Sequence, residues 1–182
     1  KFLTNKELEG STIAISGIGK VGSKLSKLLF ERNVNLIVSN IGKDTIEQLK
    51  QDRVSFKESN INLIFEQKCD IFSPCALGGI INSETIKKLK CKAIVGAANN
   101  QLDKSETATW LKKNNIFYAP DYLVNSGGVI AISCEINNSE DTLNDQLNKI
   151  GDKVLSLLKD SQKSNLSTDK IIEDLAWKRI NS

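Results

Sequence analysis

The sequence predicts an α/β fold, a doubly wound parallel sheet with additional helices at its C-terminal end. Three observations predict it. Short β-branched runs alternate with segments of helical periodicity. Those runs are too apolar to leave one face in water, as expected of parallel strands covered on both sides. The first of them passes into its helix through a turn of three spaced glycines.

The elements follow in order. "TIAIS" (12–16) reads as a buried strand. From Lys20, Val21, Leu25, Leu28 and Leu29 fall at i, i+4, i+7 and i+8, the stripe of a helix packed on a sheet. "NLIVS" (35–39) is the second strand and "DTIEQLKQ" (44–51) a short helix behind it. A weaker third strand is expected near residues 54–56. "DIFS" (70–73), "KAIVGA" (92–97) and "IFYA" (116–119) complete the strands, with helical segments at about 82–90 and 103–114 between them. After Asn138 the texture changes. Leu143, Leu147, Ile150, Val154 and Leu158 form the stripe of one long amphipathic helix. "SQKSNLSTD" breaks it, and Ser167 is placed to cap a last helix carrying Ile171, Ile172 and Leu175. The 182 residues suit one domain, with 1–138 as the sheet core and 139–182 as C-terminal helices.

Composition narrows the function. The chain is 40% hydrophobic and 26% charged, and its net charge of +3 is spread among interleaved acids and bases. That pattern argues against a nucleic-acid or membrane-surface partner. No apolar stretch approaches the roughly 20 residues of a membrane span, and "KFLTNKELEG" lacks the apolar core of a secretory signal. A cytoplasmic protein is expected. Histidine is absent, which removes the usual general base and the commonest zinc ligand. The cysteines Cys69, Cys75, Cys91 and Cys134 fit no C-x-x-C spacing, so they read as reduced thiols packed as small apolar groups, with no metal site. Methionine is absent even at position 1, which we read as the sign of a fragment or processed chain with further sequence upstream.

"ISGIGKVGSKL" places Gly17, Gly19 and Gly22 in G-x-G-x-x-G spacing, leaving a predicted strand and opening a predicted helix. In that context Gly17 permits the sharp turn, Gly19 lets backbone approach a pyrophosphate, and Gly22 lets the helix lie close to the strand. The helix start then offers unpaired N–H groups to phosphate. The turn comprises Gly17, Ile18, Gly19, Lys20, Val21 and Gly22; Lys20 is either a phosphate partner or a solvated lysine. The second strand should end in an acid that bonds the adenosine ribose, and Asn40 stands there. Asparagine still bonds a hydroxyl but does not repel a 2′-phosphate, and Lys43 is close by; otherwise Asn40 simply turns the chain. NAD is the first choice of cofactor, with NADP a competitor.

Three later segments share one design, a strand ending in small neutral residues: "DIFSPCALGG", "AIVGAANNQL" and "YAPDYLVNSGGVIAI". Both prolines, Pro74 and Pro120, fall at these ends. Together with the glycine turn, the segments resemble the nucleotide-binding domain of the glutamate/leucine/phenylalanine/valine dehydrogenases, the leucine and phenylalanine branch above all. The resemblance runs from about Leu8 to Ile180. It implies a Rossmann-type NAD(P)-binding domain in which Cys75, Ala76 and Leu77 line the cofactor's path. Ala98 would lie in the cofactor site, and Asn99 would hydrogen-bond the nicotinamide ribose. Asn125 would sit beside the nicotinamide and help hold the substrate's carboxylate. Val129 and Ile132 match positions that touch the substrate side chain, which favours an apolar amino acid. The departures are Asn40 for aspartate, Lys20 for the usual asparagine and Ser126 for alanine.

The smoothness of "SPCALGG" fits a crevice wall for a flat ring, the rival reading being a plain strand–turn–helix junction with Cys75 in the core. Relatives of this kind carry two reacting lysines and an aspartate in a separate N-terminal domain, and no lysine here stands in a glycine-rich setting like theirs. The resemblance therefore implies the cofactor half of an NAD(P)-dependent dehydrogenase that converts an apolar L-amino acid to a 2-oxo acid and ammonia. Its partners would be the dinucleotide, the amino acid or 2-oxo acid, the absent N-terminal catalytic domain and, in the full-length enzyme, further copies of itself. The alternatives are a non-catalytic NAD(H)-binding sensor or partner subunit of the same fold, and an unrelated reductase. The last would need a proton donor that Tyr118 and Tyr122, without a lysine partner, do not supply.

Overall fold

The computed structural model describes residues 7–181, and six strands form one parallel sheet. The strands are β1 (Thr12–Ser16), β2 (Asn35–Ser39), β3 (Lys57–Glu58), β4 (Ile71–Pro74), β5 (Ala93–Ile94) and β6 (Phe117–Tyr118). Their order is β3-β2-β1-β4-β5-β6. The chain starts at the centre, winds outward through β2 and β3, then crosses back to β4 and winds the other way. The order reverses between β1 and β4, where Ser16 lies opposite both Ser39 and Pro74. Because all strands run one way, their carboxyl ends share one edge, the place where open α/β sheets bind ligands.

The period of two along each strand explains the burial of both faces. Ile13, Ile15, Leu36 and Val38 pack in one cluster with Leu29, Ile46 and Leu49. Ala14, Ile37 and Phe72 face the other way, into a cluster with Ile64, Ile94 and Leu111. The helices are α1 (Lys20–Phe30), α2 (Lys43–Gln51), α3 (Ser105–Lys113), α4 (Asp121–Val124), α5 (Gly127–Ile136), α6 (Leu143–Lys163) and α7 (Thr168–Ile180). Leu158 of α6 buries itself against Ala93, Phe117 and Ala119. Ser167 accepts from the Lys170 backbone N–H at 3.3 Å and so caps α7, as its sequence position predicts. Among the described residues no helix is long and apolar enough to cross a membrane.

Four expectations need correction. The buried line of α1 runs through Gly22, Ser26 and Leu29, not through Val21 and Leu28, which are exposed. Small residues bring the helix close to the sheet and rotate its stripe. Val21 turns instead to an apolar groove of about 330 Å³ that it lines with Leu8, Ile71, Val95 and Val124. The third strand is Lys57–Glu58, later than expected, because the Val54 N–H closes the end of α2 on the Leu49 carbonyl. Residues 82–90 hold only a 3-10 turn, Ile86–Lys88. There Asn82 Oδ1 accepts from the Glu84 and Thr85 N–H groups, and the Thr85 hydroxyl bonds the Ile80 carbonyl, so local side chains replace the helical ladder. Finally, α4 and α5 follow β6 where the hydrophobic pattern predicts no helix.

Candidate functional site

The glycine turn sits at the carboxyl end of β1, at the switch point. Gly17 has φ +101°, and a Cβ there would lie 2.5 Å from that of Ala76. A Cβ on Gly22 would lie 2.1 Å from the Gly17 carbonyl oxygen. These two glycines are demanded by the protein's own packing. Gly19 is different: a Cβ there would meet nothing within 4 Å. Gly19 is also the N-cap of α1, and no side chain caps the helix or places an acid in its first turn. The start of α1 therefore keeps its positive end uncompensated and facing open space. Lys20 is exposed beside it.

Asn40 follows β2 and reaches back to the turn. Its Oδ1 accepts from the Ile18 N–H at 3.0 Å, while its Nδ2 donates to the Gly42 carbonyl at 2.9 Å and to Thr45 Oγ1 at 2.6 Å. The amide thus ties the glycine turn to the start of α2 and retains one lone pair on Oδ1. Lys43 is exposed in the first turn of α2.

Cys75, Ala76 and Leu77 follow β4 on the same edge, with Cys75 half-buried and Leu77 67% exposed. The smallness of this loop has a cause that spacing alone does not show. Ala76 abuts Gly17, and a Cβ on Gly78 would lie 2.6 Å from the Asn99 carbonyl oxygen. A Cβ on Gly96 would lie 2.2 Å from the Pro74 carbonyl oxygen. Successive strand-end loops are stacked backbone on backbone, so small residues are required before any ligand arrives. Asp70 lies at the start of β4, at the opposite edge, where it accepts from the Thr12 N–H at 3.0 Å.

Ala98 is buried, and Asn99 is exposed on the loop after β5. Asn125 ends α4, after β6. The two amides meet directly: Asn125 Nδ2 donates to Asn99 Oδ1 at 2.6 Å. No ring fits between them in this geometry, but the Asn99 amide N–H groups and the Asn125 oxygen remain to meet a ligand lying over the pair. Val129 and Ile132 project from the next helix, α5, 71% and 58% exposed. An apolar helix that buries little beyond Cys134 leaves a greasy face beside the amides.

Sequence reasoning missed two residues that hold this loop. Gln101 is fully buried and its Nε2 donates to the Gly96 and Ala98 carbonyls at 2.8 and 2.9 Å. Asp121 accepts from the Asn100 N–H at 2.5 Å and from the Tyr118 hydroxyl at 3.0 Å. Burial, reinforced by the Asp121 charge, holds the Tyr118 phenol well above its ordinary range, so it stays a donor. Tyr122 is likewise held protonated, by burial and then by Asp169, to which it donates at 3.0 Å. The available signal was an acid placed directly after Pro120 at a strand end.

The sequence of residues 38–170 matches the model of the Glutamate/Leucine/Phenylalanine/Valine dehydrogenase family. The chain belongs to this family. It is 38% identical over 178 residues to a phenylalanine dehydrogenase of Thermoactinomyces intermedius, covering 96% of this chain and 48% of that protein. It is 39% identical over 175 residues to a leucine dehydrogenase of Bacillus subtilis (strain 168), covering 95% and 48%. The crystal structure of L-tryptophan dehydrogenase from Nostoc punctiforme superposes with a TM-score of 0.91 at 36% identity, covering 97% of this chain and 53% of that one. The chain thus spans about half the length of the family members it matches, and its fold is the Rossmann type found in them.

Proposed function

We propose that this chain is the dinucleotide-binding part of an amino acid dehydrogenase that oxidatively deaminates an apolar L-amino acid to a 2-oxo acid and ammonia. The observation that carries the reading is that the Asn99–Asn125 pair and the uncapped glycine start of α1 lie on one sheet edge. The open space at Gly19 and the missing acid in the first turn of α1 fit a diphosphate. Backbone N–H groups of that turn would hold it, and the remaining lone pair of Asn40 would take an adenosine ribose hydroxyl. Asn99 and Asn125 would orient the nicotinamide end, and Val129 and Ile132 would meet an apolar substrate side chain. When bound, the nicotinamide ring supplies a hydride acceptor for the substrate Cα.

The work left to this chain is orientation, an effect that can supply several kcal/mol of barrier lowering in a well-aligned pair. Proton handling is assigned to lysines outside these residues. NAD is the preferred cofactor, because Asn40 can serve a ribose hydroxyl and Lys43 alone makes a weak case for a 2′-phosphate. Calorimetric titration of the chain with NADH and NADPH tests the reading, with NADH expected to bind the tighter. Absence of binding by both would overturn it. Amino-acid-dependent reduction of NAD by the 182 residues alone would overturn the assignment of the lysine chemistry to another domain.

A further inference from the structure

Asn99 and Asn125 come from different segments, the loop after β5 and the helix after β6, yet their amides must keep one relative position to orient a ring. We infer that Asp121 is the positioning residue that fixes this pair, an inference that rests on the dinucleotide reading above. Asp121 is tied to both sides. Its side chain accepts from the N–H of Asn100, next in sequence to Asn99, at 2.5 Å. Its own carbonyl accepts from the Asn125 N–H at 2.8 Å. The distance between the two segments is therefore set through one residue.

The device is braced on every side. Asp121 is 9% exposed and Tyr118 3%, and the Tyr118 hydroxyl holds the second carboxylate oxygen at 3.0 Å. Thr168, at the start of α7, donates to the Tyr118 carbonyl at 2.6 Å. Gln101 pins the same loop from below through the Gly96 and Ala98 carbonyls. Asn100 sits at φ +51°, a left-handed conformation that asparagine tolerates and that a fixed N–H partner helps to hold. A carboxylate suits the position because both its oxygens only accept, so it has no flipped state that would point a donor at Asn100. The residue touches neither amide group of the pair, and it acts through backbone.

The test compares the unaltered chain with Asp121→Ala, Asp121→Asn and Tyr118→Phe, each titrated calorimetrically with NADH and with ADP-ribose. Asp121→Ala is expected to weaken NADH by about tenfold or more, the scale of one lost charged hydrogen bond at a buried site, while ADP-ribose changes by less than about twofold. The adenine and diphosphate contacts near Gly19 are untouched by it. Asp121→Asn can still accept from Asn100 and donate to the Tyr118 oxygen, so it should restore NADH affinity to within about threefold. Tyr118→Phe leaves the Asn100 bond in place and should weaken NADH by about threefold with ADP-ribose unchanged, which keeps the inference testable if Asp121→Ala does not fold. Equal loss of both ligands in the Ala or Phe variant would make the role merely structural and overturn the inference, as would unchanged NADH binding in both. Failure of the unaltered chain to bind either ligand would overturn the dinucleotide reading itself, and this inference with it.

Discussion

Two alanine substitutions in the glycine turn should behave oppositely, and the difference separates packing from ligand binding. In Gly22→Ala the new methyl would stand 2.1 Å from the Gly17 carbonyl oxygen, where real contacts begin near 3.0 Å. The obstacle is backbone, so α1 would have to back away from β1 by roughly 1 Å, a form of overpacking that costs about 1–3 kcal/mol. Set against the middle of that range, about 2 kcal/mol, alanine regains up to about 1 kcal/mol of helix propensity, leaving a net loss near 1–2 kcal/mol. For a chain of this size each kcal/mol lowers Tm by about 2–4 °C, so a fall of about 2–8 °C is expected. The same shift displaces the N–H groups at the helix start, and ADP-ribose affinity should drop with stability. In Gly19→Ala the methyl meets nothing within 4 Å, and only the N-cap preference changes, a matter of about 1 kcal/mol or less. Stability should hold to within about 4 °C, yet ADP-ribose should bind at least about tenfold more weakly, because the methyl fills the space proposed for the diphosphate. Thermal unfolding and calorimetry on the two variants decide the matter. A Gly22→Ala protein with unchanged Tm, or a Gly19→Ala protein that keeps full ADP-ribose affinity, would refute the division of labour.

Two further outcomes follow from the same geometry. Asn40→Asp keeps the acceptor for the Ile18 N–H, gives up the donation to the Gly42 carbonyl and places a charge where the adenosine ribose is proposed to lie, so competition titrations should show NADPH weakened about tenfold or more relative to NADH. The cysteines should separate in thiol labelling at pH 8. Half-buried Cys75 on the rim reacts first and is protected by NADH, whereas burial pushes Cys69 up to about 11 and Cys91 up to about 12, which keeps both as unreactive thiols. Because the folded state holds these protons longer than the unfolded chain, whose thiols ionise near 9.0, that contribution to stability is full below pH 9. It should be lost as pH rises from 9 toward 11 and 12, visible as falling urea midpoints, and Cys91→Ala should flatten the decline.

The parallel sheet covered on both sides was legible because each run is apolar on both of its alternating faces, and the glycine turn was legible because its spacing sits between a strand and a helix; the order of the strands came from the fold. Element edges were not. The 82–90 segment has helical spacing, but Asn82 and Thr85 satisfy the backbone locally, and no periodicity count registers that competition. The stripe of α1 was misplaced for a related reason. Hydrophobicity points to Val21 and Leu28, whereas the sheet receives Gly22 and Ser26, since close approach selects small residues over large ones. The candidate rim residues were named from the resemblance, and the structure brings Asn99 and Asn125 into contact. Asp121 and Gln101 stayed hidden, because a buried polar side chain acquires its meaning from partners that only the fold supplies.

The strand-end loops show why a rim of this sort is so poor in side chains. Ligand access was the expected reason for the smooth "SPCALGG" wall, and it is the weaker one. Gly17 against Ala76, Gly22 against the Gly17 carbonyl, Gly78 against the Asn99 carbonyl and Gly96 against the Pro74 carbonyl are all closed contacts in the protein alone. They stack three parallel strand ends tightly enough that their loops act as one surface. What remains open is small: the space at Gly19 and the outer atoms of two amides. Rigid backbone packing lets so few groups suffice, because each is held in place by neighbours that cannot move apart without breaking a contact. A substitution that loosens the stack should therefore cost affinity and stability together, while one confined to the open positions should cost affinity alone.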